Sequence, residues 1–305
     1  MKNIITNVLL FSAMALPVFT SCSSDDETKA EVNKNLLEIE VLDNAQTKAY
    51  NPLYNSIPSK SYYGIYLADN DNNVVSNCNN VSVYYYSGKS VISRDVELND
   101  IECKVLAYYP YNESVEPDNI ELEGDLMGGK DLMIGRSVET QNDNIYSSGY
   151  VNNNMNKAFL KLTHAKSCIT FYITQEETWT EHHVESVSIQ VPIRYKAIDL
   201  FSGKYVGDTD ADIEPNVLNS YTHLGEFLKC NFLVAPTVKE CDIYASMIVD
   251  GVNTNVKLPI SSLEPGKEYI FNVLVRKNAF LEIRSTNIVS RDEEESSSMD
   301  WEIEY

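Results

Sequence analysis

Basic residues are scarce in this chain of 305 residues, where 24 Lys and Arg face 45 Asp and Glu and give a formal net charge of −21. Nucleic-acid binding depends on Lys and Arg that neutralise phosphates, so this balance argues against a nucleic-acid partner. Apolar residues are not scarce, since 43% of the chain is hydrophobic. That is enough apolar material for two cores, and it excludes a wholly disordered protein.

The sequence also lacks the motifs of common enzyme sites. It contains no G-x-G-x-x-G, no G-x-x-x-x-G-K-[ST] and no G-x-S-x-G pattern. Gly128-Gly129-Lys130 has the composition of a phosphate-binding loop without its spacing. Acid pairs such as Asp25-Asp26 say little in a chain with 45 acidic residues, because glycosidase carboxylates are defined by their separation across a cleft. We therefore expect no catalytic residues and no cofactor.

Cysteine and histidine are few and lack metal-binding spacing. The four histidines form no pattern with the six cysteines, and no C-x-x-C occurs, so no metal site is expected. When Cys22 is set aside, five cysteines remain: Cys78, Cys103, Cys168, Cys230 and Cys241. Free cysteines that behave as small apolar residues are the favoured interpretation. A Cys230–Cys241 bridge is the alternative.

Long apolar runs are absent apart from residues 4–18, which are too short to span a bilayer as a mature helix. The run has the length of a secretory signal core, with a buried N-terminal helix as the alternative. Thr20-Ser21-Cys22 follows and resembles a bacterial lipoprotein box, in which the signal is cut before an acylated cysteine. The next residues, Ser23-Ser24-Asp25-Asp26-Glu27, resemble an acidic signal for export to the outer face of the outer membrane. The sequence thus predicts a signal peptide at 1–21, lipidation at Cys22 and an acidic tether at 22–34.

Helical periodicity is nearly missing from the rest of the chain. Short β-rich runs recur at roughly 8–12-residue intervals with turn residues between them, as at 62–67 and 81–86. This spacing predicts an all-β fold of antiparallel sandwiches. Residues 137–157 are polar and Asn-rich and are the best candidate linker. The predicted domains are an N-terminal sandwich at 35–150 and a C-terminal sandwich at 151–305, which ends in a terminal strand segment.

Three consecutive tyrosines, Tyr84-Tyr85-Tyr86, allow two interpretations. Alternate members of a strand normally face the core, and that interpretation is favoured. The alternative is an aromatic platform for sugar.

Several separated segments carry features that occur together, in this order, in one protein family. They are residues 36–41 followed by Thr47-Lys48-Ala49, residues 105–111 (VLAYYPY), 131–136 (DLMIGR), 160–171 (LKLTHAKSCITF), 263–273 (LEPGKEYIFNV) and Met299-Asp300-Trp301. Together they resemble the fimbrillin family, the pilin and pilus-associated lipoproteins of anaerobic Gram-negative bacteria. The resemblance spans nearly the whole chain.

This resemblance implies two transthyretin-like antiparallel β-sandwich domains and a non-catalytic pilus subunit, adhesin or anchor. The protein is then an outer-membrane lipoprotein at the cell surface or in the fimbrium. The resemblance also implies a protease site in the first loop after Lys48, which stands where the family usually has Arg, and a cut there leaves Ala49 as the new N-terminus. A molecule that stays uncut and lipidated, as an anchor or terminator, is the alternative. Loss of the first strand opens a groove that a strand of another subunit fills. The removable strand contains Leu36, Leu37, Ile39 and Val41.

The partners implied are other pilin subunits by strand exchange and outer-membrane lipid through acylated Cys22, with host or bacterial surface ligands as a further class. Two alternatives stay open, a surface lipoprotein that binds glycans or proteins without polymerising and a secreted hydrolase on a sandwich scaffold. The pilin interpretation alone predicts polymerisation triggered by a protease.

Overall fold

The computed structural model describes residues 35–42, 57–122, 131–141, 144–176, 182–209, 216–217, 228–276 and 278–292. All of them lie in one unit, Lys34–Tyr305. Within these ranges the chain forms strands and a 3₁₀ turn at Ser76–Cys78, without an α-helix. No helix in the same ranges is long and apolar enough to cross a membrane. The predicted all-β fold is confirmed.

The strands are numbered in chain order. They are β1 (Glu38–Val41), β2 (Ser61–Ala68), β3 (Val81–Tyr86), β4 (Lys89–Ile92), β5 (Lys104–Tyr109), β6 (Ile120–Glu121), β7 (Met133–Gln141), β8 (Asn144–Ser148), β9 (Lys157–His164), β10 (Ser167–Gln175), β11 (Val184–Gln190), β12 (Ala197–Asp199), β13 (Lys204–Val206), β14 (Asn216–Val217), β15 (Leu228–Val234), β16 (Tyr244–Val249), β17 (Val252–Lys257), β18 (Lys267–Val275) and β19 (Leu281–Ser290).

The largest sheet has the order β1-β9-β7-β5-β2-β3-β4, with β8 paired to β7. Alternate residues of β3 and β9 are buried, whereas β2 and β5 are buried on both faces. The inner face encloses a core that includes Ile65, Val105 and Leu160. The sequence predicts that the second domain begins at residue 151, whereas β9 pairs with β7 and β1 in this first sheet. The predicted domain boundaries themselves stay predictions.

Two four-stranded sheets, β15-β10-β18-β19 and β14-β11-β16-β17, pack face to face. Their inner faces form one core, to which Phe171 and Phe271 contribute from the first sheet and Val187 and Met247 from the second. The rings of Phe171 and Phe271 lie 5.5 Å apart. Two sheets that share a core in this way form a β-sandwich.

A third core covers part of the outer face of the largest sheet. Tyr66 and Tyr108 pack there against residues of the β13-β12-β6 sheet and its surroundings, including Ile198 and Ala235. Gly64 is required beneath them, because a Cβ at this position would lie 2.2 Å from the Tyr108 ring. The outer face of β2 is therefore buried at one end.

Two strand pairs depart from the predicted antiparallel pattern. β1 runs parallel to β9, and β10 runs parallel to β18. Each pair joins segments about a hundred residues apart in the chain, which a hairpin cannot connect.

None of the described cysteines is in a disulfide bond; they are Cys78, Cys103, Cys168, Cys230 and Cys241. The favoured interpretation of these residues is confirmed, and the alternative of a Cys230–Cys241 bridge is wrong. Burial raises the pKa of the Cys78 thiol to about 12 and that of Cys168 to about 11. These thiols therefore act as apolar core groups.

Candidate strand-exchange site

The first described strand, β1, turns one row of side chains toward the core of the largest sheet. Leu37 is 5% exposed and Val41 is 8% exposed, while Ile39 between them packs half-buried against the same core. The glutamates that alternate with them are less buried. Of the four residues predicted for the removable strand, these three contribute to the core. The fourth, Leu36, is half-buried and lies two residues before β1.

On one side, β1 is bonded to β9 by a parallel ladder. Glu38 pairs with Lys157 and Val41 with Leu160. The Glu38 N–H donates to the Asn156 carbonyl at 2.8 Å, and the Leu42 N–H donates to the Leu160 carbonyl at 2.8 Å. The ladder therefore continues one residue beyond the C-terminal end of the four-residue strand.

On the other side, residues 35–37, which lead into β1, are bonded to residues 96–98. The Leu37 N–H donates to the Val96 carbonyl at 2.9 Å, and the Leu98 N–H donates to the Asn35 carbonyl at 2.7 Å. Val96 and Leu98 are themselves buried in the core that receives Leu37. We call the space beside β9 and residues 96–98, which residues 35–42 fill, the first-strand slot.

Polar side-chain contacts contribute little to the binding of β1. The Asn156 amide donates to the Leu36 carbonyl at 2.7 Å. Lys157 lies 2.6 Å from Glu40, but both side chains are more than 40% exposed, and an ion pair this exposed contributes little. The slot therefore recognises a strand mainly by its main chain and by apolar side chains at alternate positions. Any strand with the same alternation fits that description.

The other predicted site residues lie outside the described ranges. Cys22 precedes residue 35, and Lys48 and Ala49 fall between residues 42 and 57. In the sequence, the segment that holds Lys48 connects β1 to β2, and β2 is not a neighbour of β1 in the sheet.

A buried group of charged residues links the largest sheet to the sandwich. Asp131 precedes β7, His164 ends β9, and Arg291 and Asp292 follow β19. Arg291 is 2% exposed and forms an ion pair with Asp131. His164 Nδ1 lies 2.8 Å from Asp131 Oδ2, and the His164 backbone N–H donates to Asp292 Oδ1 at 2.9 Å. The Arg291 backbone N–H donates to the Gly266 carbonyl at 2.7 Å. We call these four side chains the charge cluster.

The two carboxyl groups of the charge cluster differ in electrostatics. Burial opposes ionisation of Asp131, but His164 and Arg291 together outweigh it and hold the pKa of this carboxyl below its usual range. At Asp292 burial prevails over the hydrogen bond from His164, so the pKa is raised. The folded protein thus stabilises the ionised form of Asp131 and disfavours the ionised form of Asp292.

Neither the charge cluster nor the side of the first-strand slot formed by residues 96–98 is predicted from the sequence. Asp131, His164 and Gly266 each lie in a segment that carries the family resemblance, but no short-range signal shows that these segments meet. Within the described residues, no three or more His, Cys, Asp and Glu are grouped as a metal site.

Comparison with solved structures finds similar folds. A candidate cell adhesion protein from Bacteroides uniformis superposes with a TM-score of 0.58 at 16% identity, over 84% of this chain and 97% of that one. Candidate cell adhesion proteins from Bacteroides ovatus and Bacteroides fragilis give TM-scores of 0.55 and 0.51 at 14% identity, over 85% and 87% of this chain and 98% and 100% of theirs. At these identities the likeness shows a shared fold. No curated protein matches the sequence.

The comparison with protein families is more specific. The family model described as fimbrillin-like matches residues 47–289, which is most of the chain. The chain belongs to the fimbrillin-like family.

Proposed function

We propose that this protein is a non-catalytic pilus subunit or pilus-associated anchor, exported as a lipoprotein through Cys22 and assembled by β-strand addition. Family membership supports a place in the pilus at the cell surface. The observation that carries the assembly step is the first-strand slot. In it β1 is bonded to β9, and residues 35–37 just before β1 are bonded to residues 96–98; both partners lie far away in sequence.

Cleavage after Lys48 would separate β1 from the rest of the chain. Burial of Leu37, Ile39 and Val41 is worth roughly 1.5–3 kcal/mol each, so an empty slot forgoes on the order of 5–8 kcal/mol of burial. That is comparable with the whole stability of a typical domain, ~5–15 kcal/mol. The Val96 and Leu160 carbonyls would lose their donors, the Leu37 and Leu42 N–H groups, at the same time. An empty slot therefore requires a replacement strand.

The replacement strand has defined properties. It must run parallel to β9 and present apolar side chains at alternate positions, because the slot reads main-chain groups and every second side chain. A strand of another subunit in this position joins the two molecules without a covalent bond.

Lipidation of Cys22 would determine where this happens. Acyl chains on Cys22 hold the uncut protein at the membrane, and cleavage after Lys48 releases the body of the protein from that anchor. An uncut, lipidated molecule would serve as an anchor, whereas a cut molecule would be a subunit able to accept a strand.

Mild trypsin treatment of the purified full chain tests the assembly step, with Lys48→Gln as the matched control. We expect a new N-terminus at Ala49 and ladders of SDS-resistant oligomers, and neither for Lys48→Gln. A synthetic peptide of residues 35–42 should compete for the slot and suppress the ladders. If the protein cut at Lys48 stayed monomeric at high concentration, with no partner subunit able to restore assembly, the proposal would be refuted.

Mass spectrometry of the mature protein from cells tests lipidation and processing together. The proposal requires acylated Cys22 on uncut molecules or a free Ala49 on cut ones. Cys22→Ala should abolish acylation and release the protein from membranes, and continued partition into the membrane fraction would contradict the lipid anchor.

A further inference from the structure

The three consecutive tyrosines of β3 divide between two faces of the sheet. Tyr85 is 3% exposed and lies in the core, as the favoured interpretation of the sequence predicts for alternate members. Tyr84 and Tyr86 lie on the opposite face, and Tyr86 is 49% exposed. Tyr62 of β2 pairs with Tyr84 in the ladder and is 53% exposed.

The outward rings form one row across two strands. The Tyr62 and Tyr84 ring centroids are 5.0 Å apart, and the Tyr84 and Tyr86 centroids are 6.4 Å apart with the ring planes 2° from parallel. We call these three residues the tyrosine face. Tyr66, also on the outer face of β2, is fully buried under the third core. The tyrosine face is thus the uncovered continuation of a face that the protein buries elsewhere.

The backbone beneath the tyrosine face is well fixed. Ser87 and Gly88 form the two-residue turn between β3 and β4 with positive φ angles of 52° and 78°, the geometry that suits a tight hairpin. The Tyr63 hydroxyl, on the inner face, lies 2.9 Å from Ser90 Oγ of β4. The Lys60 N–H donates to the Tyr85 carbonyl at 2.8 Å. Rings on such a support lose little freedom when a ligand binds.

Two lysines border the tyrosine face in a chain whose net charge is −21. Lys60 Nζ lies 6.0 Å from the centroid of the Tyr86 ring. Lys89 pairs with Tyr86 in the β3–β4 ladder and Val91 pairs with Tyr84, so both side chains lie on the face of their partners. The exposed residues that the register of β2, β3 and β4 places beside the rings include no carboxylate. Within these three strands, the charge beside the rings is therefore positive, opposite in sign to that of the whole protein.

We propose that the tyrosine face binds an acidic polysaccharide, with pyranose rings on the tyrosines and carboxylate or sulfate groups beside Lys60 and Lys89. The C–H groups of a pyranose carry small positive partial charges and pack on the negative face of an aromatic ring. Tyrosine hydroxyls can donate to and accept from sugar hydroxyls. The lysine ammonium groups add attraction for an anion at the edge of the row.

The size of the face favours a glycan over a protein partner. A tyrosine side chain offers ~200 Å² when it is fully covered. The half-exposed rings of Tyr62 and Tyr86, together with Tyr84 and Val91, therefore offer about 300 Å² of contact area. A stable protein interface needs ~800 Å² on each partner. Two lysines also suit a polymer that carries a charge on every second sugar better than a nucleic acid, which requires a basic groove along its whole backbone.

Surface plasmon resonance of the uncut full chain tests this site separately from strand exchange. The probes are immobilised hyaluronan, which carries carboxylates alone, heparin, which also carries sulfates, dextran, which carries neither, and an oligothymidine. We expect salt-sensitive binding to hyaluronan or heparin, and the one that binds identifies the anionic group. Tyr62→Ala and Tyr86→Ala should each weaken binding about tenfold, which corresponds to ~1.4 kcal/mol. Tyr62→Phe and Tyr86→Phe, which keep the rings, should lose less than their Ala counterparts.

Matched variants separate the rings from the charges and from folding. Lys60→Gln with Lys89→Gln should remove most of the salt sensitivity. Tyr244→Ala, at another partly exposed tyrosine 36% accessible on β16, should bind normally. Thermal unfolding should be nearly unchanged in the Tyr62 and Tyr86 variants, because these rings lie outside the cores.

Four results would overturn the proposal. They are no binding to either acidic polysaccharide, equal binding to dextran, tighter binding to oligothymidine, or unchanged binding after Tyr62→Ala and Tyr86→Ala.

Discussion

Replacing Asp131 by Asn tests the charge cluster, because it removes the carboxylate that forms an ion pair with buried Arg291. The guanidinium is 2% exposed, and in wild type Asp131 raises its pKa against the opposing effect of burial. The Asn side chain has nearly the same shape but carries no charge. The substitution therefore changes electrostatics and leaves packing almost intact.

The expected loss is large. Removal of one partner from a buried ion pair typically costs about 3–5 kcal/mol, since a charge stays buried with less compensation. Asp131 is 21% exposed at the side chain, so we expect the lower end, about 3 kcal/mol. The shift is roughly 2 °C per kcal/mol at 250 residues and smaller for longer chains, so the melting temperature of this chain should fall by up to about 6 °C at pH 7.

The pH dependence follows from the direction of the shift. The pKa of Asp131 is lower in the folded protein than its usual value, so its contribution to stability is present above the unfolded value of ~3.9 and is lost as the pH falls through the folded value. The difference in stability between wild type and Asp131→Asn should therefore become smaller from pH 7 to pH 3.5.

Asp292→Asn is the matched control, because the pKa of Asp292 is shifted in the opposite direction to that of Asp131. The pKa of Asp292 is raised, so the folded state favours its protonated form, and that contribution is lost as the pH rises through the folded value. At pH 7 the Asn variant should melt at the wild-type temperature or above it, since the amide oxygen can still accept the His164 N–H. Thermal unfolding by circular dichroism measures both variants. A stability loss under 0.5 kcal/mol for Asp131→Asn, or a gap that does not change with pH, would refute the reasoning.

Two further predictions concern the backbone and the thiols. Gly266→Ala should lower the melting temperature more than Gly251→Ala. Both glycines have positive φ, but a Cβ at Gly266 would lie 2.1 Å from Asp292 Oδ2, whereas one at Gly251 meets nothing within 4 Å. Equal losses would contradict the close approach at Gly266. Cys241, which is half-buried, should react with Ellman's reagent before buried Cys78, whose pKa is raised to about 12, and reaction of Cys78 in the native protein would contradict its burial.

Local sequence pattern was sufficient for the strands but not for all of their partners. The runs around Tyr63, Val83 and Val105 alternate or carry β-rich residues, and each forms a strand. The same reasoning could not place β9, because its alternation suits any sheet with one buried face. Its assignment to the first sheet depends on contacts with β7 and β1.

The charge cluster shows a different limit of sequence reasoning. Arg291 stands at the start of an acidic, Ser-rich stretch and has the appearance of a surface residue, yet it is buried beside Asp131. The two positions are 160 residues apart. No periodicity or motif connects them, because the fold alone brings the end of β19 next to the start of β7.

The placement of β1 combines what sequence could and could not predict, and it bears directly on strand exchange. The alternation of Leu37, Ile39 and Val41 predicts a strand with one buried face. Hairpin reasoning, however, pairs a strand with its neighbour in sequence. Instead, β1 runs parallel to β9, and the residues just before it bond to residues 96–98. No turn of fixed length therefore constrains what occupies the first-strand slot. A strand held by a hairpin must satisfy its turn as well as its ladder, whereas an occupant here must satisfy only the ladder and three apolar positions. That is why we expect a separate peptide of residues 35–42, or a strand of another molecule, to replace β1 once the connection at Lys48 is cut.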